Sequence, residues 1–391
     1  MRASASMQSA TAGRWAVATM FFINGFLTGS WAPQIPVFLV RLDISKFTLG
    51  VLILGFGLGA LTFMPLAGYL MSRHGSRAVM RGFGAMAVFG LLLVAAAPNM
   101  PSAAVAMFLF GGLVGGMDVA MNANAVAVER RLSRAVMSSS HGFWSLGGFA
   151  GGALGGLAIQ TFGHLVHAVA VTGIAILLLA AAWRHLVADP KPVARTHRKF
   201  SLPGTPAVYL VGLMALMSMV PEGAILDWAA LYLKQELGTD LATAGLAFAF
   251  FSAAMALMRF AGDAVRNRFG AVATLRVSSL LAAAGMLAAA LSPWPWLVIA
   301  AFAFAGLGIA NMVPIAFSAG GNQPGMAPGT GMSVVTTMGY SGILLAPSAI
   351  GFAAEHVGFS PVFAVLAGLL VVVCLMSELA RAADFSPQPA E

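Results

Sequence analysis

The sequence predicts an all-α membrane protein, with twelve transmembrane helices in two pseudo-symmetric six-helix bundles. Three observations carry this: a composition too apolar for water, runs of membrane-crossing length, and a repeat relating the two halves. Residues of the AVILMFWYC set make up 59% of the chain and charged residues 9%, against about 25% charge in a typical soluble protein. So few charges could not cover a soluble fold of this length.

A bilayer core takes roughly 20 helical residues to cross. Twelve apolar runs fit, at 14–40, 48–71, 78–97, 102–128, 137–162, 164–186, 206–233, 241–262, 271–292, 295–319, 329–354 and 359–380. Arg14 opens the first run, which is too long for a signal-peptide core and is followed by further runs, so no cleaved leader is expected. The single cysteine, Cys374, excludes an internal disulfide framework and any multi-cysteine metal site.

Charge sets the topology. With both termini cytoplasmic, the outer loops hold Arg41, Lys46 and Lys234, and the other eighteen of the 21 Lys+Arg fall on the inner side. That asymmetry is the positive-inside pattern of a multi-pass membrane protein. It also accounts for the net charge of +8 without nucleic acid. The one long polar stretch is rich in proline and bases (Pro190, Pro192, Pro203, Lys191, Arg195, Arg198, Lys199) and reads as a linker. The expected organisation is therefore an N-terminal bundle over 1–188, a cytoplasmic linker over 189–205 and a C-terminal bundle over 206–391.

A shift of 195 residues superposes Thr48 and Gly50 on Thr243 and Gly245, Arg73 and Gly75 on Arg268 and Gly270, and Pro98 on Pro293. A slightly larger shift brings Gly142 and Phe143 onto Gly339 and Tyr340. Tandem repeats of this kind build two bundles that rock about a site near the membrane midplane.

Between spans two and three, Gly68, Leu70, Arg73, Gly75 and Arg77 stand at the spacing of G-x-L-x-D-R-x-G-x-R, which resembles the loop signature of the major facilitator superfamily; Ser72 takes the place of its aspartate. Asp263, Arg268 and Gly270 echo it in the second half. Ser30, Trp31 and Ala32, Asp118 to Asn122, Glu129, His141 to Gly147, and Glu222 with Asp227 and Trp228 resemble the MosC-like and YbjJ-like bacterial inner-membrane proteins. That resemblance, to a group related to proton-linked sugar permeases, implies the major facilitator fold, a loop that switches between conformations, and a polar sugar- or cyclitol-like substrate.

Polar groups inside the spans are the candidates for function, because an ionisable side chain at midplane costs about 2.5–3.5 kcal/mol on insertion scales. Asp118 lies about 16 Å along its helix from Glu129, near midplane, with Asn122 one turn on. It reads either as a proton carrier or as a hydrogen-bond partner of a neighbour such as Asn24. Glu222 sits midway along span seven, for proton or substrate contact. Asp227, turned about 140° from it, suits that role or an outer-end bond, for example to Lys234. Asn24, Thr28 and Trp31 share a face in span one that suits a sugar-like ligand, or ordinary packing. His141 and Trp144 share a face of span five, with His141 a second proton carrier or a structural bond. Asn311 and Tyr340 are the candidate contacts from spans ten and eleven. Arg259, four residues before Asp263, reads as an i,i+4 pair or a snorkelling base. The glycines from Gly147 to Gly156 read as close helix approach.

The expected protein is a secondary transporter of a small polar solute, working by alternating access as a monomer in the lipid bilayer. A proton is the expected coupling ion; no other cofactor, no metal and no catalytic residue is expected. An exporter of lipophilic compounds is the first alternative, made less attractive by the absence of a Gly-Pro centre in span five. A non-transporting sensor or assembly partner is the second, and no nucleophile or phosphate motif supports an enzyme.

Overall fold

A computed structural model describes residues 2–132, 136–188, 206–323 and 330–384; the predicted linker at 189–205 lies outside the described residues. In chain order the α-helices are α1 (Arg2–Trp31), α2 (Ile35–Leu42), α3 (Lys46–His74), α4 (Ser76–Ala87), α5 (Gly90–Ala96), α6 (Met100–Leu132), α7 (Met137–Phe162), α8 (His164–Trp183), α9 (Pro206–Gln235), α10 (Leu241–Phe269), α11 (Ala271–Leu291), α12 (Pro295–Gly321), α13 (Thr330–Val357) and α14 (Phe359–Leu375). Each of the twelve predicted runs holds a helix, and there is no strand among the described residues.

Ten helical stretches are long and apolar enough to cross a membrane, or eleven if α14 is joined to the 3₁₀ turn Ser377–Ala383, which bends away by 55°. The helix of the first predicted run is outside that count. Between Arg14 and Trp31 it carries Arg14, Asn24 and three hydroxyls. It also does not continue to residue 40 as predicted. A 3₁₀ turn at Ala32–Gln34 separates α1 from α2, because Pro33 and Pro36 each lack the N–H that would continue the ladder.

The repeat is written into the backbone. The starts of α3 and α10, α4 and α11, α6 and α12, and α8 and α14 lie 195 residues apart. Ser45 caps α3 by accepting the Thr48 N–H, and Asp240 caps α10 by accepting the Thr243 N–H. Gly75 and Gly270 join their helix pairs at φ 77° and 79°, and Gly163 and Gly358 at φ 84° and 82°. A side chain there would meet the left-handed penalty, so glycine is required.

Within the first half α1 packs on α7, and α3 and α4 on α6; within the second α9 packs on α13, and α11 on α12 and α14. Two seams join the halves, α7 against α10 and α3 against α13. The α3–α13 seam is tight at the end away from the termini. A Cβ on Gly50 would stand 2.5 Å from the Pro347 carbonyl oxygen, and one on Gly351 2.4 Å from that of Lys46. Lys46 Nζ reaches the Ala354 carbonyl at 3.1 Å, Glu236 at 3.9 Å and the Phe359 ring at 4.5 Å, and the Phe47 N–H donates to Glu355 at 3.0 Å. Contact persists to Gly57, which meets Leu344. Beyond it on the same face Leu61 is exposed and Gly68 faces open space, while Ser333 and Thr337 are exposed on α13. Along this seam the halves therefore meet at one end and part at the other, the end that carries the termini, while α7 and α10 stay in contact through Gly142 and Phe260.

Candidate functional site

The glycine rows of α7 place the site. Gly147 and Gly151 face α1, where a Cβ would stand 2.1 Å from the Phe22 carbonyl oxygen and 2.6 Å from that of Phe26. Gly148, Gly152 and Gly156 face α10, against Ser252, Ala249 and Leu241–Ala242. With backbones this close, the longer side chains of α7 at Trp144 and His141 reach over the neighbouring helices.

Trp144 Nε1 donates to Asn24 Oδ1 at 2.9 Å, and Asn24 Nδ2 donates to the Val114 carbonyl at 3.1 Å. Asn24 is thus engaged with Trp144 and α6, and the alternative in which it bonds Asp118 is not realised. The Arg259 guanidinium lies over the Trp144 ring, 5.6 Å from its centroid. From there it donates to Ser145 Oγ at 2.7 Å and to Glu222 Oε1 at 3.3 Å. Arg259 thus reaches Glu222 of α9 within its own half and Ser145 of α7 across the bundle interface. The Asp263 side chain lies outside the described residues.

Tyr340, from α13, stands within electrostatic reach of both Asp118 and Glu222. Asp118 is partly exposed, and its carboxylate takes part in no hydrogen bond among the described residues. Its own carbonyl accepts from Asn122 Nδ2 at 2.9 Å, and Asn122 Oδ1 lies 3.2 Å from His141 Nε2. His141 also stands edge-on to Phe21, at 5.0 Å, and within the field of Arg259. Seven predicted residues (Asn24, Asp118, Asn122, His141, Trp144, Glu222 and Tyr340) thus stand in one polar chain drawn from both halves, and Arg259 and Ser145 join it. The sequence signal for Arg259 was a base inside the apolar run 241–262, which the topology reading left as a snorkelling side chain.

Three predicted residues stand apart. Trp31 is buried against Phe38, ring centroids 5.2 Å apart, just before the helix break. Asn311 is buried against α10, where a Cβ on Gly262 would meet its Oδ1 at 2.3 Å. Asp227 is buried on the far side of α9 from Glu222, and the pairing with Lys234 does not form, because Lys234 Nζ donates to the Thr239 carbonyl at 3.0 Å. Glu129 accepts the N–H groups of Val136 and Met137 at 2.7 and 2.9 Å, tying the end of α6 to the start of α7.

The loop-motif residues stay at the parted end. Arg73 lies over the Tyr69 ring at 4.7 Å and Ser72 Oγ donates to the Tyr69 carbonyl at 2.7 Å. Arg77 is in the first turn of α4, and Arg268 lies over Phe269 at 5.6 Å. No cluster of three or more His, Cys, Asp or Glu able to hold a metal is found among the described residues.

The model of the Major Facilitator Superfamily matches residues 17–221 and again 208–390. The chain is 37% identical to the uncharacterized transporter y4wD of Sinorhizobium fredii over 87% of its own length and 90% of that protein. It is 35% identical to the membrane protein MosC of Rhizobium meliloti, over 96% of this chain and 92% of that one. Among solved structures it resembles a mutant of the nucleoside transporter NupG, TM-score 0.73 at 13% identity, covering 94% of this chain and 99% of that one. It also resembles a bacterial homologue of the human lysosomal transporter Spinster in an inward-facing, occupied conformation, TM-score 0.69 at 15% identity, covering 96% and 98%. At such identities the structures speak for the fold, while the family match and the two relatives span most of the chain: this protein is a multi-pass membrane transporter of the major facilitator superfamily.

Proposed function

We propose that this transporter moves a small polar, sugar- or cyclitol-like solute across the bacterial inner membrane by alternating access, with a proton as coupling ion. In this reading both termini are cytoplasmic, residues 1–188 and 206–391 are the rocking units, and the parted end faces the cytoplasm. The observation that carries it is the polar chain from Asn24 through Trp144, Arg259 and Glu222 to Tyr340 and Asp118, which draws on both halves. A solute held there makes different contacts when the halves rock, which is what coupling requires.

Asp118 is the proton carrier in this scheme, because its carboxylate is without a hydrogen bond among the described residues and stands within electrostatic reach of Tyr340. Glu222 is the acid that Arg259 holds within the C-terminal half, while Arg259 reaches across to Ser145 of the other half. Trp144 offers an apolar ring face, and Asn122 and His141 offer hydrogen bonds to hydroxyl groups. Thermal unfolding of the purified protein against polyols and lipophilic cations tests the reading. A ligand at about a hundred times its Kd adds roughly 2.7 kcal/mol of apparent stability. Stabilisation by polyols that is lost in Asp118→Asn supports the proposal; stabilisation by lipophilic compounds alone overturns it in favour of an exporter.

A further inference from the structure

A cleft of about 320 Å³ opens at the tight end of the molecule, away from the polar chain. It lies between the halves: Pro36, Val37, Val40, Arg41 and His164 come from α2 and α8, and Leu231, Lys234, Gln235 and Leu241 from α9 and α10. Its walls are aliphatic, and all three of its titratable side chains (Arg41, His164 and Lys234) are bases. Val40, 74% exposed, carries one wall to the surface.

The bases are out of place by the rule that otherwise sorts charge in this chain, since only three of its 21 Lys+Arg fall on this side. Lys46 is accounted for by Glu236 across the seam. Among the described residues Arg41 forms no ion pair with an acid, and Lys234 has none at contact distance, only the electrostatic attraction of Asp240. The Arg41 guanidinium donates to the carbonyls of Ala97 and Val94, its Nε is buried with no partner, and Lys234 donates to the Thr239 carbonyl. Those carbonyls orient the two cations but leave their charge unneutralised. The nearby acid, Asp240, is turned to the Thr243 N–H at 2.7 Å.

We infer that this cleft binds an anionic phospholipid, its phosphate between Arg41, Lys234 and His164 and its first methylenes against Val37, Val40, Leu231 and Leu241. The cleft holds the volume of roughly ten waters, enough for a phosphoglycerol group, and basic pockets between membrane helices suit anionic headgroups. Because the cleft takes walls from both halves, a bound lipid favours the state in which this end is closed.

The test is lipid binding by native mass spectrometry and thermal unfolding of the full chain in detergent, with phosphatidylglycerol, phosphatidylcholine, inorganic phosphate and glycerol phosphate added separately. Phosphatidylglycerol should bind at least fivefold more tightly than phosphatidylcholine. Lys234→Gln should weaken it about fivefold, the share of one base near a headgroup. Leu231→Trp, which fills the cleft and keeps its charges, should weaken it as much or more, so the test does not hang on Arg41, whose loss also frees the carbonyls of α5. Equal binding of the two lipids, or binding unmoved in both variants, overturns the proposal. Stabilisation by inorganic or glycerol phosphate equal to that by the lipid overturns it in favour of a soluble anion.

Discussion

Arg259 ties α10 to α9 within its half and to α7 across the interface, and its substitution can be worked through in numbers. The Arg259–Glu222 pair is 3.3 Å apart, with side chains 16% and 22% exposed. Coulomb attraction at that distance is about 5 kcal/mol at an effective dielectric of about 20, and about 1.3 kcal/mol in water. Desolvation of both ions takes back much of it, so a coupling of about 1–3 kcal/mol is expected. Arg259→Met removes the pair, the bond to Ser145 Oγ and the contact with Trp144 together. The variant should lose about 3 kcal/mol, the cost of leaving one partner of a buried pair behind. Glu222→Gln should cost less, because Arg259 keeps Ser145 and Trp144. The assay is a double-mutant cycle by equilibrium unfolding in detergent, with the double variant Arg259→Met, Glu222→Gln completing it. Additivity within about 0.5 kcal/mol would show that the two side chains do not act as a pair and would refute the reasoning.

Three further outcomes are expected. Gly147→Ala drives a Cβ to 2.1 Å from the Phe22 carbonyl and should cost about 2 kcal/mol or more, whereas Gly173→Ala meets nothing within 4 Å and should gain about 0.5–1 kcal/mol; thermal unfolding separates them. In a Cys374→Ser background, Lys46→Gln should raise the thiol-labelling rate of a cysteine placed at the buried Ala354 severalfold, because Lys46 holds that carbonyl and Glu236 at the tight end; an unchanged rate would remove Lys46 from the seam. The Asp240 carboxyl is held below the ordinary carboxylate range chiefly by the Thr243 N–H. Its capping stabilisation is therefore complete above about pH 4 and fades as pH falls through the depressed value. Asp240→Asn keeps the cap and should flatten that part of the acid unfolding curve, while Asp240→Ala should cost about 1 kcal/mol at neutral pH.

Much of the architecture was legible because it rests on local rules. Apolar length located the helices, and the displacement of 195 residues that aligned Gly75 with Gly270 reappears in their backbone angles. The break after Trp31 was legible too, in Pro33 and Pro36, but the apolar run masked it. The site was harder to read, because its bonds join residues far apart in the chain. Trp144 reaches Asn24 across 120 positions and Arg259 reaches Ser145 across 114. Helical spacing says which residues share a face, as for Asn24 and Trp31, but not where a face stops lining a cavity and becomes packing. The partners of Arg259 were hidden for the same reason: Ser145 and Glu222 lie on other helices, 114 and 37 positions away in the chain.

The glycines of α7 have a mechanical consequence. On the side turned to α10 the middle of the contact is made by small residues, Gly148, Gly152 and Gly156 lying against Ser252, Ala249 and Ala242, with the Phe248 ring on Gly148 and the Phe260 ring on Gly142. Interlocked side chains resist sliding because each must leave one socket and find another, with a rotamer change at every step. Along the glycine row few such sockets remain, and the Phe143–Phe260 and Phe149–Phe250 ring pairs mark where they do. In the proposed alternating-access cycle this stretch resists sliding least, and the ring pairs and the contacts at the helix ends carry the energy that selects one state.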